Sequence, residues 1–365
     1  MAKLGDIATY INGYAFKPSD WSDAGLPIIR IQDLTGNSYQ ANRYNGPYDK
    51  KYEVNCGDVL ISWSASLGVY VWSGEKSVLN QHIFKVVFDK QTVNKSFFVH
   101  QAQNILENAA SQAHGATMKH LIKPVFDSLP FYLPPMERQQ HIATILDKIT
   151  DLISFRKQQL AKLDELVKAR FVEMFGDPVL NQKKFLCYRV NDVIEFQGGS
   201  QPDKKYFEYM PTADNIRLIQ IRDYKSDRYK TYIPKSLAKR FCTADDIMIG
   251  RYGPPIFQIL SGIEGSFNVA LMKAIPKMGN KEFIRQYLKQ ECLLKYLEGL
   301  SKRTAGQDGI QMDKLKAYPL PFPPIELQNE FANFSEQIGN FKLTIQQSLD
   351  KLEVLKKALM QEYFG

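Results

Sequence analysis

The sequence predicts an α+β (mixed α/β) chain built as two tandem units. Each unit is a globular domain followed by a long helix, and the two helices are expected to pair as an antiparallel coiled coil. Three observations support this. An ungapped internal duplication sets Gly176 against Gly365, an offset of 189 residues. Apolar residues within each copy recur at steps of three and four. The stretch ahead of each copy consists of short β-branched and aromatic runs broken by Gly, Pro, Asn and Asp.

The globules come first in each unit and are related, though distantly. LGDIATYINGYAF near the start matches VNDVIEFQGGSQP from Val190, and LPIIRIQDL matches IRLIQIRDY. CGDVLIS from Cys56 matches ADDIMIG from Ala244, and VLNQHIFKV matches SFNVALMKA. These fragments read as twisted sheet with irregular loops, followed by a helix around residues 96–112 in one half and 281–300 in the other. The expected segments are 1–133 and 178–322 for the globules, and 134–177 and 323–365 for the long helices.

Each helix opens at a Pro pair, Pro134-Pro135 or Pro323-Pro324, with the second Pro suited to the first helical position. Glu137 or Glu326 lies in the positive first turn, and Gly176 or Gly365 suits a left-handed C-terminal cap. Gln139 matches Gln328, and Leu160, Lys162, Leu163, Leu166 and Lys168 all have identical partners in the second copy. The apolar stripe runs through Ile142, Ile149 and Leu163 in the first helix and through Phe334, Phe341 and Leu352 in the second. A stripe of this period packs against a partner, and two matching stripes in one chain can satisfy each other. A pseudo-two-fold axis between the units would then hold the globules at opposite ends of a rod, which suits a split linear target.

Composition narrows the function. At 365 residues and 44% hydrophobic the chain exceeds one ordinary core and is not a disordered polymer. No apolar run approaches a membrane span, and the N-terminus lacks the apolar core of a secretion signal, so a cytoplasmic protein is expected. Four scattered cysteines fit a reducing compartment with free, buried thiols. The net charge of +8 is uneven. Residues 1–133 carry 12 basic and 11 acidic side chains, whereas residues 178–322 carry 24 and 15. In the second globule the cations mix with aromatics and amides, as in Lys204-Lys205-Tyr206, Arg228-Tyr229-Lys230 and Arg251-Tyr252. Taken singly these residues read as solvated surface. Together they suit phosphate neutralisation and base-edge reading.

Catalytic signatures are lacking. The sequence has no GxxxxGK[ST] loop, GxGxxG turn, HExxH or zinc-spaced Cys pair. Gly253-Pro254-Pro255 resembles the Pro-Pro turn of amino-methyltransferases only superficially, because no Asn or Asp precedes Pro254. The expectation is a binding protein with no catalytic residues, no metal site and no cofactor of its own.

The order of globule, PPxExQ-led helix, second globule and second PPxExQ-led helix resembles the DNA specificity (S) subunit of type I restriction-modification systems. The resemblance covers the whole chain and is most specific in LPPMERQQHIATILDKITDLI, LDELVKARFVEMFG and their second copies. It implies that each globule is a target recognition domain reading one half of a bipartite, asymmetric site in double-stranded DNA, with the helices as ruler for the spacer. It also implies that two modification subunits dock on the chain, bringing S-adenosylmethionine and adenine methylation. Restriction subunits would add ATP- and magnesium-dependent translocation and cleavage. Two other readings stand beside it: the recognition chain of a different methyltransferase or nuclease assembly, and a coiled-coil scaffold whose globules bind protein.

Candidate DNA contacts in the first globule are Gln32, Asp33, Ser64, Ser66, Asn80, Gln81, His82 and Lys119. In the second they are Arg222, Asp223, Arg251, Tyr252, Asn268, Gln307 and Gln311. Asn80 and Asn268 read equally well as turn residues bonding their own backbone, and Arg222 as the partner of an ion pair with Asp223.

Overall fold

A computed structural model describes residues 1–36, 42–64, 66–112, 122–253, 255–301 and 309–365, with 111, 112 and 301 described by backbone alone. The chain forms two compact units, one of residues 1–158 with 346–365 and the other of residues 159–345. Each long helix therefore contributes residues to both units.

Each unit contains two four-stranded sheets, and the strand order is duplicated. In the first unit an antiparallel sheet runs Thr9–Asn12, Ile83–Val87, Val59–Ser62, Gly68–Val71. Its counterpart in the second unit runs Ile194–Gly198, Leu271–Pro276, Ile247–Gly250, Gln258–Leu260. The other sheet has a parallel pair at its centre, Leu26–Ile29 beside Ser77–Leu79 in one unit and Asn215–Ile219 beside Gly265–Phe267 in the other. Val59–Ser62 and Ile247–Gly250 are buried at every position. They are flanked by strands on both edges and covered on both faces, which is why they read as continuous apolar runs rather than alternating ones. A two-stranded ribbon leads into each long helix, Ala2–Lys3 with Pro130–Phe131 and Leu186–Arg189 with Pro319–Phe322.

The long helices span Met136–Phe175 and Ile325–Phe364. Each starts one residue later than the Pro-Pro reading expects. The carbonyl of Pro135 accepts the first ladder bond from Gln139 N–H (3.0 Å), and Pro324 does the same for Gln328 (3.2 Å), so the second Pro is the cap rather than the first helical residue. At the far end Gly176 turns left-handed with φ 76°, where a side chain would be strained.

Helix pairing is antiparallel within each unit. In the first unit Leu359, Met360, Tyr363 and Phe364 pack into the core that holds Ile142, Ala143 and Leu146, while Lys157 reaches Glu353 at 2.9 Å. In the second, Phe171 and Phe175 meet Phe331 with ring centroids 5.4 and 5.5 Å apart, Arg170 pairs with Glu330 at 2.9 Å, and Asp164 with Lys342 at 2.5 Å.

Through the middle of both helices burial repeats by heptads, with further buried positions where each end meets a globule. Ile142 and Ile149 are buried, and Leu163 and Leu352 half-buried, at equivalent seam positions. Phe334 is half-buried at the seam's flank. Phe341 is a correction: it is 63% exposed. The seam passes instead through Ser335, Lys342 and Leu349, because Lys342 lays its methylene stem in the interface and carries its charge out to Asp164. Phe334 and Phe341 lie one residue off this line, while Leu352 lies on the seam as expected. Leu349→Ala should accordingly cost about 2–4 kcal/mol, and Phe341→Ala about 0.5 kcal/mol or less. Urea midpoints of the two variants test the register.

All four cysteines are free. Cys242 is buried, and burial pushes its thiol up to about 11. Cys56 and Cys187 are exposed, which corrects the expectation of four buried thiols. Among the described residues no helix is long and apolar enough to cross a membrane.

Candidate nucleic-acid interface

Six of the candidates, Asn80, Gln81, His82, Arg251, Tyr252 and Asn268, lie on or beside a backbone frame that occurs twice. In the first head Gly13 lies against the Asn80 carbonyl so closely that a Cβ would stand 2.0 Å from its oxygen. Gly199 lies against Asn268 in the same way, at 1.9 Å. Tyr14 N–H donates to Leu79 O (2.8 Å), Asn80 N–H to Ile29 O (3.1 Å) and Trp63 N–H to His82 O (3.2 Å). In the second head Ser200 N–H donates to Phe267 O (3.0 Å), Asn268 N–H to Ile219 O (3.0 Å) and Arg251 N–H to Ala270 O (2.9 Å). The frame thus ties three pieces together in each head: the turn after the inner parallel strand, the exit of the fully buried strand, and the glycine that ends the first strand.

The side chains on this frame differ between heads. Asn80, Gln81 and His82 form one half-buried turn, with His82 left-handed at φ 72° and its ring 5.0 Å from that of Trp63. Asn268 is buried, and its Oδ1 accepts from Ala270 N–H (3.2 Å), so this side chain closes its own turn. Arg251 and Tyr252 follow the strand exit beside that turn, and Tyr252 is 40% exposed. Gln32 and Arg222 both follow the strand whose carbonyl holds the asparagine, in the short helices Ile31–Leu34 and Ile221–Tyr224. Arg222 is exposed and donates to Thr231 Oγ1 (3.0 Å). Gln311 precedes the helix Met312–Ala317, and its Nε2 donates to Leu300 O (3.3 Å). Lys119 and Gln307 lie outside the described residues.

Three candidates are corrected. Asp33 accepts from Arg30 N–H (2.8 Å) and Asp223 from Gln220 N–H (2.8 Å), so both carboxylates fasten the first turn of a short helix. Asp223 is only 5% exposed and turns toward Arg217, which leaves Arg222 to Thr231 rather than to the ion pair considered for it. Ser64 is buried at 4% exposure, while Ser66 beyond it is exposed. Neither Asp223 nor Ser64 presents a side chain to a ligand.

Cations stack on the tyrosine that follows them in both heads: in the first, Lys51 lies over Tyr52 at 4.9 Å. In the second, Arg217 and Lys230 share Asp227, whose carboxyl the two cations hold below the usual range. Three other cations each lie over the tyrosine that follows them: Lys205 over Tyr206, Arg228 over Tyr229 and Arg251 over Tyr252, at 5.0–5.3 Å. A ring beneath the cation limits its motion and leaves its charge for an anion.

Each head is bolted to its long helix by a glutamine whose role the sequence reading did not assign. Gln139 Oε1 accepts from Asn94 N–H (2.9 Å) while its Nε2 donates to Pro134 O (2.8 Å). Gln328 repeats this with Asn280 N–H (2.8 Å) and Pro323 O (2.7 Å). The first head adds an Asp147 carboxylate that takes bonds from Ser96 (2.5 Å) and His100 (2.8 Å), where burial lowers the imidazole pKa.

The family model described as type I restriction modification DNA specificity domain matches twice, over residues 1–165 and 182–356. The chain belongs to that family. The two specificity-domain matches cover both copies of the duplication. The type I restriction enzyme EcoBI specificity subunit of Escherichia coli is 23% identical, over 95% of this chain and 80% of its own length. The MjaVIII specificity subunit of Methanocaldococcus jannaschii is 22% identical, over 99% and 90%. Among solved structures, the S subunit of a type I restriction-modification system from M. genitalium superposes with a TM-score of 0.58 at 13% identity, covering 100% of this chain and 95% of that one. A chain from a type I system studied for complex assembly and conformational transition gives 0.51 at 14%, covering 100% and 96%. At these identities the structural likeness speaks for the fold.

Proposed function

We propose that the chain is the DNA-recognition subunit of a type I restriction-modification assembly, in which each head reads one half of a bipartite, asymmetric site. The observation that carries this is the double match to a DNA specificity domain, one per unit, on heads with the same strand order and turn frame but different side chains upon it. Two readers on one mount suit a target whose halves differ. The paired helices set the unread spacer.

The chemistry belongs to partners on this reading: modification subunits with S-adenosylmethionine, and restriction subunits with ATP and magnesium. The surface of the long helices supports docking of two like partners. Leu152 and Phe341 are exposed at equivalent positions of the duplication, and so are Leu166 and Leu355, two heptads further along. Each helix thus carries the same pair of exposed apolar side chains just beside its seam, and partners of one kind could use both. The second head, with its charge surplus, supplies more of the salt-dependent hold on phosphate.

Exchanging residues 1–133 for the first head of another family member should rewrite one half of the recognised sequence and leave the other half intact. Sequencing the methylated sites of cells carrying the assembled complex reads this out. A change in both halves defeats modular reading, and absence of any sequence preference in the assembled complex favours the scaffold.

A further inference from the structure

We propose that Arg251 reads a guanine in the half-site addressed by the second head, and that Trp63, at the equivalent place in the first head, makes the two halves chemically unlike. The inference rests on the reading of the chain as a DNA-recognition subunit and assigns one residue and one base within it.

Position comes first. Arg251 is the residue at which the fully buried strand Ile247–Gly250 leaves the sheet. Its N–H is fixed to Ala270 O (2.9 Å), and its neighbour Tyr252 bridges to Gly309. The backbone beneath this side chain is therefore held from both sides. Arg228, the other arginine stacked on its own tyrosine, stands instead in the short turn Asp227–Tyr229, with its N–H on the Ser226 hydroxyl (3.1 Å). Base reading demands a side chain on a rigid element, whereas phosphate contact tolerates a loose one.

The side chain is also prepared for a ligand. Its guanidinium lies 5.3 Å from the Tyr252 ring centroid, and Nη1 donates weakly to Val269 O (3.4 Å). Among the described residues no carboxylate lies within ion-pair distance of Arg251, whereas Arg217, Arg170 and Arg285 are each paired. A stacked guanidinium with no counter-ion among the described residues, and only one weak carbonyl bond, keeps most of its fork of donors for a ligand. That fork matches the O6 and N7 acceptors that guanine shows in the major groove.

Trp63 occupies the same station in the first head, since it follows Val59–Ser62 and donates its N–H to His82 O, the counterpart of Ala270. Its indole N–H is given to Asn12 Oδ1 (3.2 Å), and its ring stacks on Phe84 at 5.6 Å. An indole held inward cannot make the bidentate contact. The first head presents Gln81 and His82 at this place instead.

The test selects binding sites from a pool of random duplexes, using the chain in complex with the subunits it assembles with. The wild-type motif should be bipartite, with a guanine in one half whose preference falls about 5- to 150-fold in Arg251→Ala. The other half and the spacer should stay unchanged. Arg251→Lys keeps the charge and can still reach O6 or N7 through its ammonium, but without the planar fork. Its guanine preference should therefore weaken less than in Arg251→Ala, with a similar dependence of affinity on salt. A wild-type motif from Arg251→Ala overturns the inference, as does an Arg251→Ala complex that loses affinity uniformly and flattens the salt dependence, the behaviour of a phosphate contact. If the wild-type complex selects no bipartite motif, the reading of the whole chain falls, and this inference with it.

Discussion

Inserting seven residues after Gln158 and another seven after Gln347 is expected to lengthen the recognised spacer while leaving both half-sites as they are. The two sites are equivalent positions of the duplication, so both helices grow by the same amount. Seven helical residues add about 10.5 Å, or roughly three base pairs at about 3.4 Å each. Seven is the number that matters because burial through the middle of both helices repeats by heptads, and the exposed pair Leu152 and Leu166 keeps the same period. A heptad inserts a whole repeat, so seam residues still meet seam residues and the exposed apolar pair stays on its own face. Five residues would add less length yet turn the rest of each helix by about 140°, swinging Leu352 and Leu359 out of the seam. The shorter insertion should therefore do the greater harm, lowering helix content and abolishing recognition. The longer one should retain a cooperative unfolding transition. Binding of the seven-residue variant to the original site should fall by about 10³-fold or more, since only one half can then be engaged. Site selection by the purified complex reads the new spacer directly, and an unchanged spacer would remove the helices from the measuring role.

What could be read from the residues alone was unequal, and the reasons are physical. Helix ends were legible because they depend on local chemistry: a Pro pair, an early Glu and a closing Gly leave signatures within a few positions. The seam is legible in period and, at Ile142, Ile149, Leu163 and Leu352, in phase, but not at Phe334 and Phe341. Phe334 and Phe341 look like core, and only packing reveals that Ser335 and Lys342 face inward. Sheet order was out of reach, because the two heads share few side chains and their likeness lies in backbone pairing. The candidate interface shows the same division. Asp33 and Asp223 were found as a matched pair, correctly equivalent, yet their carboxylates serve the backbone. Trp63 was missed because its importance comes from one N–H on His82 O and not from its own type.

Gln328→Leu should cost the second unit about 2–5 kcal/mol, a loss as large as that from a deep core truncation. Gln328 is fully buried, and both ends of its amide are used: Oε1 on Asn280 N–H, at the start of the helix Lys281–Leu288, and Nε2 on Pro323 O, just ahead of the long helix. Leucine fills nearly the same volume, so the cost is not a cavity. It is a half-buried donor and a buried acceptor left without partners, each worth about 1–3 kcal/mol. Gln139→Leu should act alike on the first unit through Asn94 and Pro134. The Glu variant separates hydrogen bonding from shape. A carboxylate at 328 can still accept from Asn280, but it would face the Pro323 carbonyl with a second acceptor. Protonation restores the donor, so the folded state should bind a proton more tightly than the unfolded chain does. Gln328→Glu should then be more stable at low pH and lose that stability as pH rises through the raised carboxyl pKa, the opposite of an ordinary paired carboxylate. Denaturant titrations of the three chains between about pH 4 and 7 resolve this. A Gln328→Glu variant as stable as the parent at neutral pH would show that the amide is only a spacer. The motif's last residue would then mark the helix start by its fit rather than by its bonds.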